Sequence, residues 1–172
     1  VPEDKLSAIQ GDSRYYQCSS RCHDELYWNK EMVYEMNDAI DENLCIPTEL
    51  IPQCPKCGAE MEPWMRGYTF LEGKKYKEEY RKINEFLIAN QDKKILFLEL
   101  GVGRMTPMFI QEPFWSLTYS LPQAYYITVN PKDALLPQEL SQKGWAIKED
   151  IAAVLQDAAA HMSGKGDSVC MI

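Results

Sequence analysis

The spacing of apolar residues predicts a long amphipathic helix over residues 75–90. Aromatic and aliphatic side chains in this segment recur at intervals of three and four residues, which places them on one face of a helix. They are Tyr76, Tyr80, Ile83, Phe86 and Leu87. Residues 151–158 repeat the pattern after the polar pair Glu149 and Asp150, so a second helix is predicted to begin there.

Three shorter apolar runs predict β-strands. Residues 94–100 are almost continuously apolar, as in a parallel strand that is covered on both faces. Residues 124–129 are rich in β-branched and aromatic side chains, and residues 145–147 form a third, shorter run. A crossover helix can begin near Pro113, because proline is tolerated in a first helical turn. This alternation predicts an α/β fold with a parallel sheet and right-handed connections.

The first 72 residues follow a weaker pattern. Residues 1–17 are polar and turn-rich around Gly11, and helical periodicity in residues 18–57 is confined to a short stretch near residues 32–40. We therefore divide the chain into four segments. They are residues 1–17, a cysteine-bearing module over residues 18–72, the strand-and-helix region over residues 73–162, and a flexible tail over residues 163–172.

Composition narrows the classes of function. The chain has 172 residues, of which 45% are apolar, and a net charge of −8 with a pI near 4.8. The basic residues within positions 74–82 are interleaved with glutamates. The chain therefore lacks the basic face that nucleic-acid binding requires. No apolar run approaches the roughly 18–20 residues that span a bilayer. We expect a cytoplasmic protein that binds neither nucleic acid nor membranes.

Two cysteine pairs have the spacing of metal ligands. Three residues separate Cys18 from Cys22, and two separate Cys54 from Cys57. Each pair can place both sulfurs on one side of a turn, and two such turns form the tetrahedral thiolate site that zinc prefers. Four thiolates leave no open coordination position, so the zinc would be structural. Four unconnected buried thiols and a disulfide framework remain the alternatives.

The remaining cysteines and the histidine beside the first pair have no role that their spacing specifies. His23 follows Cys22 directly and is either a substitute ligand or a neighbour of the metal site. Cys45 and Cys170 lie outside the two pairs, and their spacing assigns them no role.

The order of these features resembles the C-terminal half of sirtuins. Gln10-Gly11 precedes the cysteine pairs, and after them come a strand with a glycine turn, a strand ending in Asn130, and a helix opening at Asp150. The resemblance covers about residues 8–160. It is closest to the macrodomain-linked branch, class M, in four stretches: residues 16–23, 46–58, 98–103 and 106–115.

The resemblance implies a Rossmann-like parallel sheet, forming the second half of a sirtuin catalytic core, with a small structural zinc-binding module. It also implies that residues 1–17 carry the catalytic loop, with Gln10 as the catalytic residue, and that residues 73–162 are an NAD-binding half. The implied cofactor-binding residues are Gly101, Val102, Gly103 and Thr106 on the phosphate side, Asn130 at the adenosine ribose, and Asp150 and Ile151 at the closing turn.

The same residues have plainer interpretations. Gln10 can be a loop residue before a glycine turn, and the two glycines can serve backbone geometry alone. Thr106 can cap the following segment, Asn130 can be a turn residue before proline, and Asp150 can be the N-cap of the last helix.

The implied activity is NAD-dependent protein ADP-ribosyl transfer, a transferase reaction using NAD, with zinc as the bound metal. Ordinary sirtuins have His where this chain has Gln10. A glutamine amide has no proton that titrates near pH 7, so it serves a base-dependent deacylation less well than a transfer reaction. The resemblance further implies a lipoylated carrier protein as the protein substrate and a macrodomain protein as a partner.

Two alternatives stay open beside this function. One is an NAD-dependent protein-lysine deacylase, the usual sirtuin deacetylase activity. The other is a catalytically inert, zinc-containing module that binds NAD or a partner. The glycine-rich opening element of the family does not occur here, so we expect the chain to cover only the C-terminal half, with the activity of the chain alone an open question.

Overall fold

The computed structural model describes residues 2–163, which form two compact units divided between Glu85 and Phe86. The predicted flexible tail and Cys170 lie outside these residues, apart from Ser163 at the end of a helix. Among the described residues, no helix combines the length and apolar character needed to cross a membrane.

The first unit is organised by a small antiparallel sheet. Its strands are β1 (Gly11–Cys18), β2 (Tyr27–Trp28) and β3 (Met61–Met65), in the order β2-β1-β3. Trp64 of β3 is fully buried and stacks on Phe70, with ring centroids 5.3 Å apart. Helix α1 (Lys30–Asp38) follows β2 and corresponds to the short periodic stretch in the sequence.

Strand β1 replaces the turn-rich segment that the sequence predicted. Its pairing partner β3 lies more than 40 residues away along the chain, with Cys18 opposite Met61. Gln17 is fully buried, and its amide donates to Glu62 and to the Thr69 carbonyl. Polar residues therefore hold this strand, which is why apolar periodicity did not reveal it.

Helix α2 (Lys74–Asn90) confirms the long helix predicted from apolar spacing. Its first residue, Lys74, donates its backbone N–H to the Asp24 carboxylate at 2.9 Å. One inward residue, Glu79, is charged and 3% exposed, and it forms ion pairs with Lys75 and Lys82. The same carboxylate accepts the Ala8 N–H at 3.1 Å, so it also fixes the N-terminal segment.

The second unit contains the predicted parallel sheet. Its strands are β4 (Ile95–Leu100), β5 (Ala124–Val129) and β6 (Gly144–Ile147), in the order β4-β5-β6. Helices α3 (Gln111–Ser120) and α4 (Ile151–Ser163) follow β4 and β6. A mixed α/β architecture with a three-stranded parallel sheet is confirmed.

One face of this sheet holds the core of the second unit. Ile95, Phe97, Ala124 and Tyr126 are buried there. The ring centroids of Phe97 and of Phe114 in α3 are 4.9 Å apart. The sequence predicted that β4 is covered on both faces. In the structure Leu96, Leu98 and Leu100 on the other face are 38–52% exposed, because α3 packs against the first face.

Candidate functional site

Two tight turns present the four cysteines of the predicted pairs. The first follows β1, where the Arg21 N–H donates to the Cys18 carbonyl at 2.9 Å. In the second, the Gly58 N–H donates to the Cys54 carbonyl at 2.9 Å, and Gly58 has a φ of +72°. A left-handed residue of this kind favours glycine, so the Cys54–Gly58 turn depends on it.

Three distances between the four sulfur atoms match the edge length of a tetrahedral thiolate site. Cys18 Sγ is 3.7 Å from Cys22 Sγ and 3.6 Å from Cys57 Sγ, and Cys22 Sγ is 3.7 Å from Cys54 Sγ. Four ligands at the usual Zn–S distance of about 2.3 Å would be about 3.8 Å apart. The structure therefore brings together the four cysteines predicted as metal ligands, in a geometry that fits zinc.

His23 lies beside this cluster at a hydrogen-bonding distance. One possible set of metal ligands includes this histidine and consists of Cys18, Cys22, His23 and Cys54. Their potential ligand atoms all lie within 4.8 Å of one another. However, His23 Nδ1 is only 3.0 Å from Cys22 Sγ, whereas two ligands of one tetrahedral zinc would be about 3.6 Å apart. Its Nε2 lies 2.8 Å from the Tyr27 hydroxyl. This geometry is that of a hydrogen bond between His23 and the Cys22 sulfur.

The cysteine thiols perturb one another strongly. The Cys22 backbone N–H lowers the pKa of Cys18 to about 7. The hydrogen bond to Cys57 raises the pKa of Cys22 to about 12. Because like charges repel at this distance, each further thiol loses its proton less easily once one thiolate has formed. A bound cation would compensate the negative charge of the thiolates.

Gln10 lies just before β1, and its backbone is held on both sides. Its carbonyl accepts the Arg66 N–H at 2.9 Å, and the Arg66 guanidinium donates to the Ile9 carbonyl at 3.0 Å. That guanidinium stacks 3.9 Å above the Phe70 ring. Gly11 has a φ of +92°, and a Cβ there would clash with the Trp64 carbonyl oxygen.

A glycine loop, residues 101–110, connects β4 to α3 at the carboxyl edge of the parallel sheet. Gly101 has a φ of +67°, and its N–H donates to Val129 O at 2.9 Å. The Asn130 amide donates to Val102 O at 3.0 Å. A Cβ on Gly101 would be 3.1 Å from Ile151 Cδ1. The structure thus brings Gly101, Val102, Asn130 and Ile151 together.

The remaining predicted residues occupy different positions. Gly103 has open space around it, because a Cβ there would meet nothing within 4 Å. Thr106 is the N-cap residue of the 3-10 helix Pro107–Phe109. Asp150 accepts the Ala153 N–H at 3.0 Å through its carboxylate, which makes it the N-cap of α4, as its plainer interpretation proposed.

Two side chains were missed by the sequence interpretation, the partly exposed Arg66 and the buried Glu99. Arg66 orders the backbone at Gln10, and Glu99 binds side chains of β5 and α3. No local motif marks either residue, because their partners are distant in sequence. The only available signal was a charged residue inside an apolar run at Glu99.

Comparison with known proteins identifies two informative relatives. A protein of Staphylococcus aureus (strain Mu50 / ATCC 700699) named "Protein ADP-ribosyltransferase" is 35% identical over 152 residues, which are 87% of this chain and 48% of that protein. A protein of Fusarium oxysporum f. sp. cubense named "Probable bifunctional ADP-ribose hydrolase/ADP-ribosyltransferase" is 30% identical over 118 residues, 65% of this chain and 20% of that protein. No family model matches the chain.

The lengths of these relatives bear on the interpretation. The chain spans about half the length of the bacterial protein and a fifth of the fungal one. The similarity therefore concerns the region that this chain covers.

Proposed function

We propose that this chain belongs to an NAD-dependent protein ADP-ribosyltransferase of the sirtuin family, class M branch. The similarity to the protein named "Protein ADP-ribosyltransferase" carries this proposal, because it extends over 87% of the chain and includes both structural units. The sirtuin assignment, the use of NAD and the class M branch come from the sequence resemblance.

The glycine loop is the proposed contact for the pyrophosphate of NAD. It lies at the carboxyl edge of a parallel sheet, where open α/β sheets bind their ligands. Gly103 leaves open space where a Cβ would stand, so a phosphate can approach the backbone and accept its N–H groups. Asn130 holds the loop through Val102 O and is the proposed neighbour of the adenosine ribose.

Gln10 is the proposed catalytic residue. Bound NAD supplies an ADP-ribosyl group that becomes transferable when its bond to nicotinamide breaks. The amide of Gln10 can orient an acceptor or a ribose hydroxyl by donating and accepting hydrogen bonds, but it cannot remove a proton near pH 7. A neutral amide therefore favours transfer over base-dependent deacylation.

The cysteine cluster is the proposed structural zinc centre. Four soft thiolates at tetrahedral spacing are the donor set that zinc prefers, and they leave no position for a substrate. Cys18, Cys22, Cys54 and Cys57 would hold the ion, and His23 would donate its Nδ1 hydrogen to Cys22. The metal would thus stabilise the two turns and take no part in the reaction.

The proposed acceptor is a lipoylated carrier protein, and the proposed partner is a macrodomain protein that removes the modification. The acceptor comes from the sequence resemblance alone. The name of the fungal relative joins an ADP-ribose hydrolase and an ADP-ribosyltransferase in one protein, which supports an association of the two activities.

Calorimetric titration of the 172-residue chain with NAD tests the proposal. We expect saturable heat with one site per chain, competed by ADP-ribose but not by nicotinamide alone. The Asn130→Asp variant serves as a negative control, because a carboxylate beside Val102 O cannot donate and repels a pyrophosphate. Absence of heat and of any change in melting temperature with NAD would contradict the proposal and favour an inert module.

A further inference from the structure

A buried carboxylate lies at the base of the glycine loop. Glu99 is 1% exposed and is the last inward residue of β4, after Ile95 and Phe97 on the same face. Those two residues pack in the apolar core, whereas burial of a carboxylate costs free energy that an apolar side chain would avoid. A role other than filling the core is therefore to be expected of Glu99.

Three neutral donors satisfy the Glu99 carboxylate. Gln111 Nε2 and Thr128 Oγ1 donate to Oε1 at 3.0 and 3.1 Å, and the Tyr126 hydroxyl donates to Oε2 at 2.8 Å. All three side chains are almost fully buried. Burial and the hydrogen bond to Glu99 raise the pKa of Tyr126 to about 12, so this hydroxyl keeps its proton. A network satisfied at every member is rigid.

One of these hydrogen bonds differs from the others in what it connects. Tyr126 and Thr128 lie on β5, which the strand ladder already joins to β4, with Thr128 directly opposite Glu99. Gln111 is the first residue of α3, at the far end of the glycine loop. The bond between Glu99 and Gln111 therefore joins the two ends of the segment that contains Gly101 and Gly103.

We propose that Glu99 is a positioning residue for the nucleotide. Through Gln111 it fixes both ends of the glycine loop, while Asn130 fixes its start at Val102. Together these anchors hold the backbone N–H groups of the loop in one arrangement, ready for a pyrophosphate. The identity of the ligand rests on the proposed function, whereas the anchoring of the loop rests on the hydrogen bonds alone.

Two matched substitutions test this role. Gln111→Leu and Thr128→Val each remove one hydrogen bond to the same oxygen of Glu99 with little change in volume. We expect Gln111→Leu to raise amide hydrogen exchange in residues 101–110 about tenfold and to lower the affinity for ADP-ribose about tenfold, the usual effect of a lost hydrogen bond to a charged group. Thr128→Val should leave both quantities within about twofold, because its strand is held by the ladder. Equal effects of the two variants would overturn the proposal.

A paired substitution provides a rescue. Gln111→Glu places a second carboxylate beside Glu99, and the repulsion between them should loosen the loop. Adding Glu99→Gln exchanges the two groups and so restores one donor and one acceptor. Exchange in residues 101–110 should then return to within about threefold of the original chain. Failure of rescue, with the melting temperature restored, would contradict the proposal. Failure of the original chain to bind ADP-ribose would instead refute the proposed function, and the exchange measurements would still decide the role of Glu99.

Discussion

At the scale of single residues, Gln10 has a backbone that neighbouring residues hold in place. Its carbonyl is bound by the Arg66 N–H, the preceding carbonyl by the Arg66 guanidinium, and the following residue is a glycine that no other residue can replace without a clash. The amide thus starts from a defined backbone position. In that position, the difference between glutamine and histidine is the difference between a neutral hydrogen-bonding group and a base.

The first prediction concerns Gln10. In Gln10→His the imidazole, with a pKa near 6.5 in the absence of perturbation, can accept a proton that the amide cannot. We expect the variant to gain NAD-dependent deacylation of an acetyl-lysine peptide while it retains ADP-ribosyl transfer. Gln10→Ala should lose about 10²-fold in transfer, a usual cost of misplacing the reacting groups. A Gln10→Ala variant with full transfer activity would show that this residue has no catalytic role.

A second prediction asks whether His23 is a ligand of the proposed zinc or only a neighbour of its ligands. Because His23 hydrogen-bonds Cys22, His23→Ala should weaken zinc binding about 10- to 100-fold and leave the stoichiometry at one ion. Cys57→Ser removes a ligand and should weaken zinc binding far more, whereas Cys45→Ser, at an exposed cysteine away from the cluster, should have no effect. Competition with a chromogenic chelator measures all three affinities. The reverse order of Cys57→Ser and His23→Ala would make the histidine the fourth ligand.

Among individual residues, the sequence revealed roles that depend on local spacing and missed roles that depend on contacts between distant residues. The cysteine pairs were recognised because both cysteines of each pair lie within one turn. Arg66 acts on residues 9 and 10, and Glu99 acts on residues of another strand and of the following helix. Such roles depend on which segments the fold brings together, and the sequence does not display that locally.

At the scale of secondary-structure elements, the parts of the chain with apolar periodicity were the predictable ones. Helix α2 follows directly from it, and the three parallel strands follow from short apolar runs. Strand β1 does not, because Gln17 and Cys18 are buried through hydrogen bonds and sulfur contacts. The exposed leucines of β4 show a further limit, since a continuous apolar run does not specify which residues cover it.

A third prediction contrasts Gly11, at the start of β1, with Gly103, inside the glycine loop. Gly11→Ala should destabilise the chain by more than about 2 kcal/mol, because it combines a positive φ with a Cβ placed against the Trp64 carbonyl. Gly103→Ala should leave the melting temperature unchanged, since its Cβ meets open space, but should lower NAD affinity by occupying the proposed phosphate position. Thermal unfolding and calorimetry measure the two effects. Unaltered NAD affinity in Gly103→Ala would place the phosphate elsewhere.

At the scale of the whole molecule, the two units differ in what holds them together. The second unit has an apolar core between its parallel sheet and α3. The first has a three-stranded sheet and turns whose cysteines converge on one point. Zinc in such modules contributes on the order of 10 kcal/mol to folding. The stability of the first unit should therefore depend on the metal, and that of the second should not.

A fourth prediction follows from this difference. Removal of metal by a strong chelator should abolish amide protection in β1 and β3 while the strands of the second unit remain protected. Added zinc should restore protection, whereas added magnesium, which prefers oxygen ligands, should not. Hydrogen exchange measured by mass spectrometry resolves the two units. Protection of β1 that survives complete removal of zinc would show that the cysteine cluster needs no metal.

The central claim is that the protein carrying this chain transfers ADP-ribose from NAD to another protein. The most direct measurement is the intact mass of a lipoylated carrier protein after incubation with NAD and this protein as isolated from its host. The account predicts that the carrier gains the mass of one ADP-ribosyl group, only when NAD is present and not with the Gln10→Ala variant. An unchanged mass for the carrier and for every other protein in the mixture, under conditions where NAD binds, would contradict the account.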